Sequence, residues 1–307
     1  MYNSINEKSK ELNLMGFKLF LLLENFLMIL PASWRKAFFS SLATLGYYIS
    51  KRYRKVSHQN LNFMFENKIS EKEKDEITKY AFKNLIFNFL HAMELRHMSK
   101  EDLQKRVTIQ NIEAVQRVHA EGRAVIYVTT HYSSWELGGA SIGAFIEPLI
   151  AVYKKMKDPT YQEWLLEARN SFGNISMEKS NVVKPLVRNL KKGMACGLLI
   201  DTNINPKEGL MVNFMGKSIR QTSTPAFLAR KFNAAIIPVT MRTDDEENYT
   251  LMIFDEIPVQ KTNDIDSDIQ NATQLQADWL TSLITKEPKF WFWLHRRWKN
   301  DHPEIYA

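Results

Sequence analysis

The chain has 307 residues, 45% of them hydrophobic and 24% charged, with a formal net charge of +7 at pH 7 and one cysteine. That length supplies core for one large domain or two, while a lone cysteine excludes a disulfide framework and leaves secretion without support. The positive balance points to an acidic partner, whether nucleic acid, an anionic membrane, a phosphorylated substrate or an acidic protein.

In chain order, the first feature is the apolar segment 16–50, followed at once by "KRYRK" at 51–55. Lys18 and Glu24 interrupt its first half, so it falls short of the roughly 18 uncharged residues of a clear membrane span. The leading "MYNSINEKSKELN" is mixed in charge and no small-residue cleavage site follows the apolar run, which argues against a cleaved signal peptide. Two short apolar helices flanked by Trp34, Tyr47, Tyr48, Tyr53 and a basic cluster read as a segment lying in, or dipping into, a bilayer. The competing reading is a pair of amphipathic core helices. Ser70 and Glu73 then form a capping box ahead of Ile77, Tyr80, Ala81, Leu85 and Phe89 at helical spacing.

From about residue 107 short apolar runs alternate with helical patterns. Strands are expected at 124–130, 149–154, 195–201, 234–242 and 249–257, and helices at 134–146, 158–172, 181–192 and 223–232, with Gly173, Gly193 and Asn233 as stops. This predicts an α/β fold with a central mixed sheet flanked by helices. The division expected is an amino-terminal helical, membrane-associating region over 1–106 and an α/β part over 107–307.

"VTTHYSSWELGG" at 128–139 places His131 at the carboxyl end of the first of these strands, where open α/β sheets gather ligands. Glu136 stands five positions on. If Ser133 caps the following helix, Glu136 completes a capping box; alternatively, His131 precedes the helix and folds back onto Glu136, which would fix its tautomer. The residues alone leave both readings open. Cys196, in the apolar run "ACGLLI", reads as a small core residue, without the charged neighbour that activates a thiolate.

At this point the chain resembles the bacterial lipid A biosynthesis acyltransferases of the lauroyl/myristoyl type, within the lysophospholipid acyltransferase superfamily. "HYSSWELGG" is similar to the superfamily's H-x4-D/E signature through His131, Trp135 and Glu136. "VYKKMKDPTYQEWLLEARNSFG" resembles a second block through Arg169 and Gly173, and "GLLIDTNINPKEGLMVNFMG" a third through Asp201, Val212, Phe214 and Gly216. "LARKFNAAIIPVTMR", "WFWLHRRWK" and the early "RKVSHQNLNFMF" match further blocks, so the likeness spans roughly 30–300. Thr202, Met215 and Thr224 depart from the family pattern, at positions expected around the acyl or acceptor pocket.

The resemblance implies attack of a lipid hydroxyl on an acyl thioester, with His131 as general base and Glu136 as its partner. It requires no cofactor and no metal. Arg169 is assigned to an anionic group, the acceptor phosphate in preference to the developing oxyanion, because a guanidinium fork suits such groups. Asp201 is assigned to substrate binding at its strand end, and Arg296, Arg297 and Lys299 to phosphates. The implied partners are acyl carrier protein as donor, with acyl-CoA as the alternative, a phosphorylated glycolipid as acceptor, and a membrane, at the cytoplasmic face of the bacterial inner membrane. Nucleic acid is set aside for want of a recognition motif. The non-enzymatic alternative is a module that binds anionic lipid.

Overall fold

The computed structural model of the chain describes residues 2–66 and 68–307. Four helices lead, α1 (Tyr2–Ile29), α2 (Ala32–Ile49), α3 (Lys51–Phe65) and α4 (Glu71–Leu95). The Ser70 hydroxyl accepts the Glu73 amide, the cap that the sequence announces. Then come α5 (Lys100–Arg106), β1 (Val107–Gln110), α6 (Glu113–Ala120), β2 (Val125–Thr129), α7 (Trp135–Phe145), β3 (Leu149–Tyr153), α8 (Pro159–Asn170), β4 (Ile175–Glu178), α9 (Val183–Leu190) and β5 (Ala195–Leu199). A hairpin, β6 (Leu210–Phe214) and β7 (Lys217–Gln221), breaks the alternation before α10 (Thr224–Phe232), β8 (Ala235–Arg242), β9 (Tyr249–Ile253) and α11 (Ile265–Lys286).

The five expected strands and four expected helices are present. Sequence reading missed β1 and β4, each four residues long, and the hairpin strands β6 and β7, each five residues long, because such short segments show no resolvable period. The sheet order is β1-β9-β8-β2-β5-β3-β4. Its only antiparallel pairing is β8 with β9, so the sheet is mixed, as expected.

Both faces of this sheet are covered, which is why β2 reads as an unbroken apolar run. On one face Val125, Tyr127, Ala195, Ile237 and Val239 share a cluster with Leu137 of α7, Phe87 and Leu90 of α4, Leu27 of α1 and Phe39 of α2. On the other, Ile126, Val128, Cys196, Leu198 and Ile236 pack against Leu186 and Leu190 of α9 and Leu228 of α10. A third cluster joins the hairpin, α11 and Trp291, Trp293 and Trp298 near the carboxyl end.

Glu24, which seemed to break the first apolar stretch, points inward. It is fully buried, and its carboxylate accepts from Arg96 Nη1 at 2.5 Å and Trp164 Nε1 at 2.7 Å, with His97 Nε2 at 3.0 Å. The outer face of α1 therefore carries Leu19, Leu22, Leu23, Phe26 and Ile29, continued on α2 by Trp34, Phe38, Leu42, Leu45 and Tyr48, all exposed. Among the described residues, no helix is long and apolar enough to cross a membrane.

Removing one side of a buried ion pair leaves the other uncompensated, typically at a cost of 3–5 kcal/mol. Arg96 retains Glu167 as a second partner, so the lower end applies. Glu24→Ala is expected to lower the unfolding free energy by about 3 kcal/mol, read from the denaturant midpoint, whereas Lys18→Ala on the exposed face should change it by less than about 0.5 kcal/mol.

Candidate active site

Strands β2 and β5 are parallel neighbours with Thr129 opposite Leu199. Two further residues along the same register bring His131 beside Asp201, although 70 positions separate them. The Ile200 amide extends the ladder by donating to the Thr129 carbonyl.

Asp201 is 3% exposed and is held by four donors. Its Oδ2 accepts from the Thr130 hydroxyl at 2.6 Å, the His131 amide at 2.8 Å and the Trp291 indole at 3.0 Å, while Oδ1 lies 2.9 Å from His131 Nδ1. Burial by itself would raise its pKa, but the His131 imidazolium and these donors together drive it well below the usual carboxylate range. Burial likewise opposes the charged form of His131, yet the charge and hydrogen bond of Asp201 outweigh it and raise the imidazole pKa. An ionised Asp201 accepts a hydrogen bond from Nδ1–H, so the neutral imidazole keeps its proton on Nδ1 and presents the lone pair of Nε2 outward.

The carboxylate that touches His131 is thus Asp201, in place of the expected Glu136. Glu136 is instead clasped by Arg169, whose Nε donates to Oε2 at 2.9 Å and whose Nη2 donates to Oε1 at 2.6 Å. Trp135 Nε1 adds a bond to Oε1. The capping box also fails: the helix cap is Ser134, Ser133 lies in the left-handed region at φ 50°, and the Glu136 amide donates to Asn88 Oδ1 of α4. Asn88 Nδ2 holds the Ser133 carbonyl at 2.7 Å. A loop turned this way sends His131 toward β5 and the first turn of α7 toward α8.

Beneath this point a narrow cavity runs between the sheet and α7. Tyr127, Leu149, Ala151, Gly197, Val239 and Met241 line its sheet side, and Trp135, Glu136, Gly139 and Arg169 its helix side. Trp135 also packs edge-on against the His131 ring at 5.1 Å between centroids. A Cβ at Gly139 would meet no atom within 4 Å. The cavity is walled largely by apolar groups, and among the described residues that line it the Glu136–Arg169 pair supplies the only carboxylate and guanidinium.

The carboxyl-terminal cations separate. Arg297 is buried, against the expectation that it faces phosphate: its Nη1 donates to the Arg220 carbonyl, its guanidinium lies over the Phe214 ring, and burial lowers its pKa to about 10. Arg296 is half-buried over Tyr306, and Lys299 is exposed. His295 accepts the Asn203 amide at Nε2, and burial lowers its pKa to about 4, so it stays neutral. Of the three departures from the family pattern, none lines the cavity. Sequence reasoning missed Thr130, Asn88 and Trp291; only Thr130, adjacent to His131, carried any local signal.

The family described as bacterial lipid A biosynthesis acyltransferase matches residues 5–300. The lipid A biosynthesis lauroyltransferase of Escherichia coli (strain K12) is 25% identical over 264 residues, covering 84% of this chain and 83% of that one. The lipid A biosynthesis palmitoleoyltransferase of the same strain is 25% identical over 255 residues, covering 81% and 79%. The lipid A biosynthesis acyltransferase of Haemophilus influenzae (strain ATCC 51907 / DSM 11121 / KW20 / Rd) is 21% identical over 260 residues, covering 84% and 80%.

The pair His131–Asp201 makes an experiment independent of any substrate. Asp201 raises the His131 pKa against burial, which lowers it, so removing the carboxylate charge should reverse the sign. Proton NMR titration should place His131 above the ordinary value of about 6.5 in the parent and below it in Asp201→Asn.

Proposed function

The chain belongs to the bacterial lipid A biosynthesis acyltransferases and is an O-acyltransferase, and from that premise we propose that it moves a fatty acyl chain from acyl carrier protein to a hydroxyl of a phosphorylated lipid A precursor, at the cytoplasmic face of the inner membrane. The observation that carries the reading is an imidazole, oriented by a buried carboxylate, beside the wall of an apolar cavity suited to an acyl chain.

The acceptor hydroxyl gives its proton to His131 Nε2 as its oxygen attacks the thioester carbonyl. Asp201 stabilises the imidazolium that forms, and proton removal by a base positioned like His131 contributes typically about 10²–10⁴-fold. The tetrahedral intermediate collapses, the carbon–sulfur bond breaks, and the thiolate takes the proton back from Nε2. No enzyme nucleophile is involved; Cys196 is buried, which pushes its thiol up to about 12.

Glu136 acts through Arg169. Two of the guanidinium nitrogens are committed to the carboxylate, which leaves Nη1 to meet the oxygen that becomes negative during attack. Because Arg169 lines the cavity, the oxyanion is its better target than the distant phosphate. Arg296 and Lys299 remain for the acceptor phosphates, without Arg297. The apolar outer faces of α1 and α2, bordered by exposed Lys51, Arg52 and Lys55, lie in the plane of the bilayer, where such cations contribute about 1 kcal/mol each.

Purified protein incubated with acyl-carrier and acyl-CoA thioesters and a tetra-acylated lipid A precursor should give a product heavier by one acyl group, detected by mass spectrometry, and His131→Ala should give none. Product from CoA alone would overturn the donor assignment. Arg169→Lys should lower kcat by about tenfold or more, consistent with loss of a preorganised donor; a change confined to the acceptor KM would return Arg169 to the headgroup. Gly139→Leu should narrow the cavity and favour shorter acyl chains in a competition assay.

Leu22→Glu with Phe26→Glu should weaken co-sedimentation with anionic vesicles while leaving the thermal midpoint unchanged. Unaltered sedimentation would remove α1 from the bilayer.

A further inference from the structure

Most arginines of this protein are neutralised by carboxylates: Arg35 and Arg106 by Glu94, Arg96 by Glu24, Arg123 by Glu256, Arg220 by Asp301, Arg230 by Asp268 and Arg242 by Glu287. Two groups of exposed cations depart from this pattern among the described residues: Lys51 and Arg52, which border the apolar face of α2, and a larger group around the loop after β3 and α9. The loop after β3 exposes Lys154, Lys155 and Lys157, and α9 with the turn that follows exposes Lys184, Arg188, Lys191 and Lys192. Among the described residues, none of these seven reaches a carboxylate within salt-bridge distance, and the nearest acid in sequence, Asp158, is spent on capping α8.

Their placement follows from the topology. Strands β2, β5, β3 and β4 are parallel neighbours, so the loop after β3 leaves the same rim that carries His131 and Asp201. Helix α9 begins near that rim, after β4, and runs back along the sheet to enter β5. Lys184 therefore stands near the rim and Lys191 about 10 Å farther along the helix, at 1.5 Å per residue. The face that α9 covers holds Ile126, Val128 and Cys196, whereas α1 and α2 pack on the opposite face.

Building on the acyl-thioester reading above, we infer that acyl carrier protein docks on the α9 side of the rim, across Lys155, Lys157, Lys184, Arg188 and Lys191, so that donor and membrane-borne acceptor reach His131 from opposite faces of the sheet. A bilayer that holds the apolar face of α1 and α2 lies on the far side of the sheet from these cations, which leaves them to a partner from the aqueous phase. The cations are spread over a loop and two turns of helix, wider than the phosphates of a single nucleotide could engage, and they fit the extended acidic surface of a small protein. Unpaired charges of one sign steer such a partner chiefly through its rate of association. From that dock the prosthetic arm passes over the rim, which places the thioester at His131 and the acyl chain in the cavity under α7.

The test is Lys184→Glu/Arg188→Glu/Lys191→Glu, all on an exposed surface and outside the catalytic machinery. At low salt the KM for acyl carrier protein thioester should rise about tenfold or more, with kcat within about twofold, while an acyl-pantetheine donor and vesicle co-sedimentation stay at the parent level. An unchanged carrier KM overturns the dock, and so does a parallel loss of vesicle binding, which would make this surface a bilayer contact. If the triple variant does not fold, Lys155→Glu/Lys157→Glu on the loop carries the same expectation and the same contrary result. Failure of the acyl-carrier reading looks different: the parent itself would then be inert with every carrier thioester and active with acyl-CoA.

Discussion

The Asp201 carboxylate is sealed from water and accepts hydrogen bonds from the Thr130 hydroxyl, the His131 amide, the His131 imidazole and the Trp291 indole. An ionised carboxylate at such depth is tolerable only while its donors stay in place. That requirement couples three remote parts of the chain: β2 and β5 must remain adjacent and in register, and the carboxyl-terminal segment must close over them. Asn60 of α3 secures the closure, donating through Nδ2 to the carbonyls of Trp293 and His295 at 2.7 and 2.8 Å. An early helix thereby helps to position an indole that touches the site.

The second charged pair, Glu136 with Arg169, is subject to the same constraint in a different setting. Glu136 sits in the first turn of α7, where a negative charge is favoured by the helix dipole, and its two oxygens hold the fork of Arg169. Asn88 fixes the turn ahead of it from α4. The left-handed conformation of Ser133 costs on the order of 1 kcal/mol and persists because the Phe290 carbonyl and Asn88 hold that residue from both sides. Strain there separates His131 from Glu136 and gives each its own partner.

Around these pairs the sheet acts as a partition. One of its faces carries the apolar cavity under α7 and, farther out, helices whose outward side is apolar; the other carries a helix whose outward side is cationic. Glu24 leaves its charge off that apolar outward side, since its carboxylate is consumed by Arg96 and Trp164 inside the protein.

Much of this was legible in the sequence, for physical reasons that are local. Apolar runs of strand length, separated by helical periods with Gly173, Gly193 and Asn233 at positive φ, announce an α/β sheet because each signal depends on neighbours a few residues away. The Ser70 cap and the core placement of Cys196 belong to the same class, and the position of His131 after a buried strand marked it as a candidate site residue. The partner of His131 was not legible. It depends on which strand lies next to β2, and strand order is decided by how whole layers pack, so Asp201, 70 residues distant, could be chosen over Glu136 only by the tertiary structure. The same holds for Glu24, read as an interruption until α4 and α8 supplied its donors, and for Arg297, whose position in a basic run gave no sign that packing against Phe214 would bury it. Sequence determined which segments are apolar and which residues can carry charge; the packing of layers decided which of those charges meet.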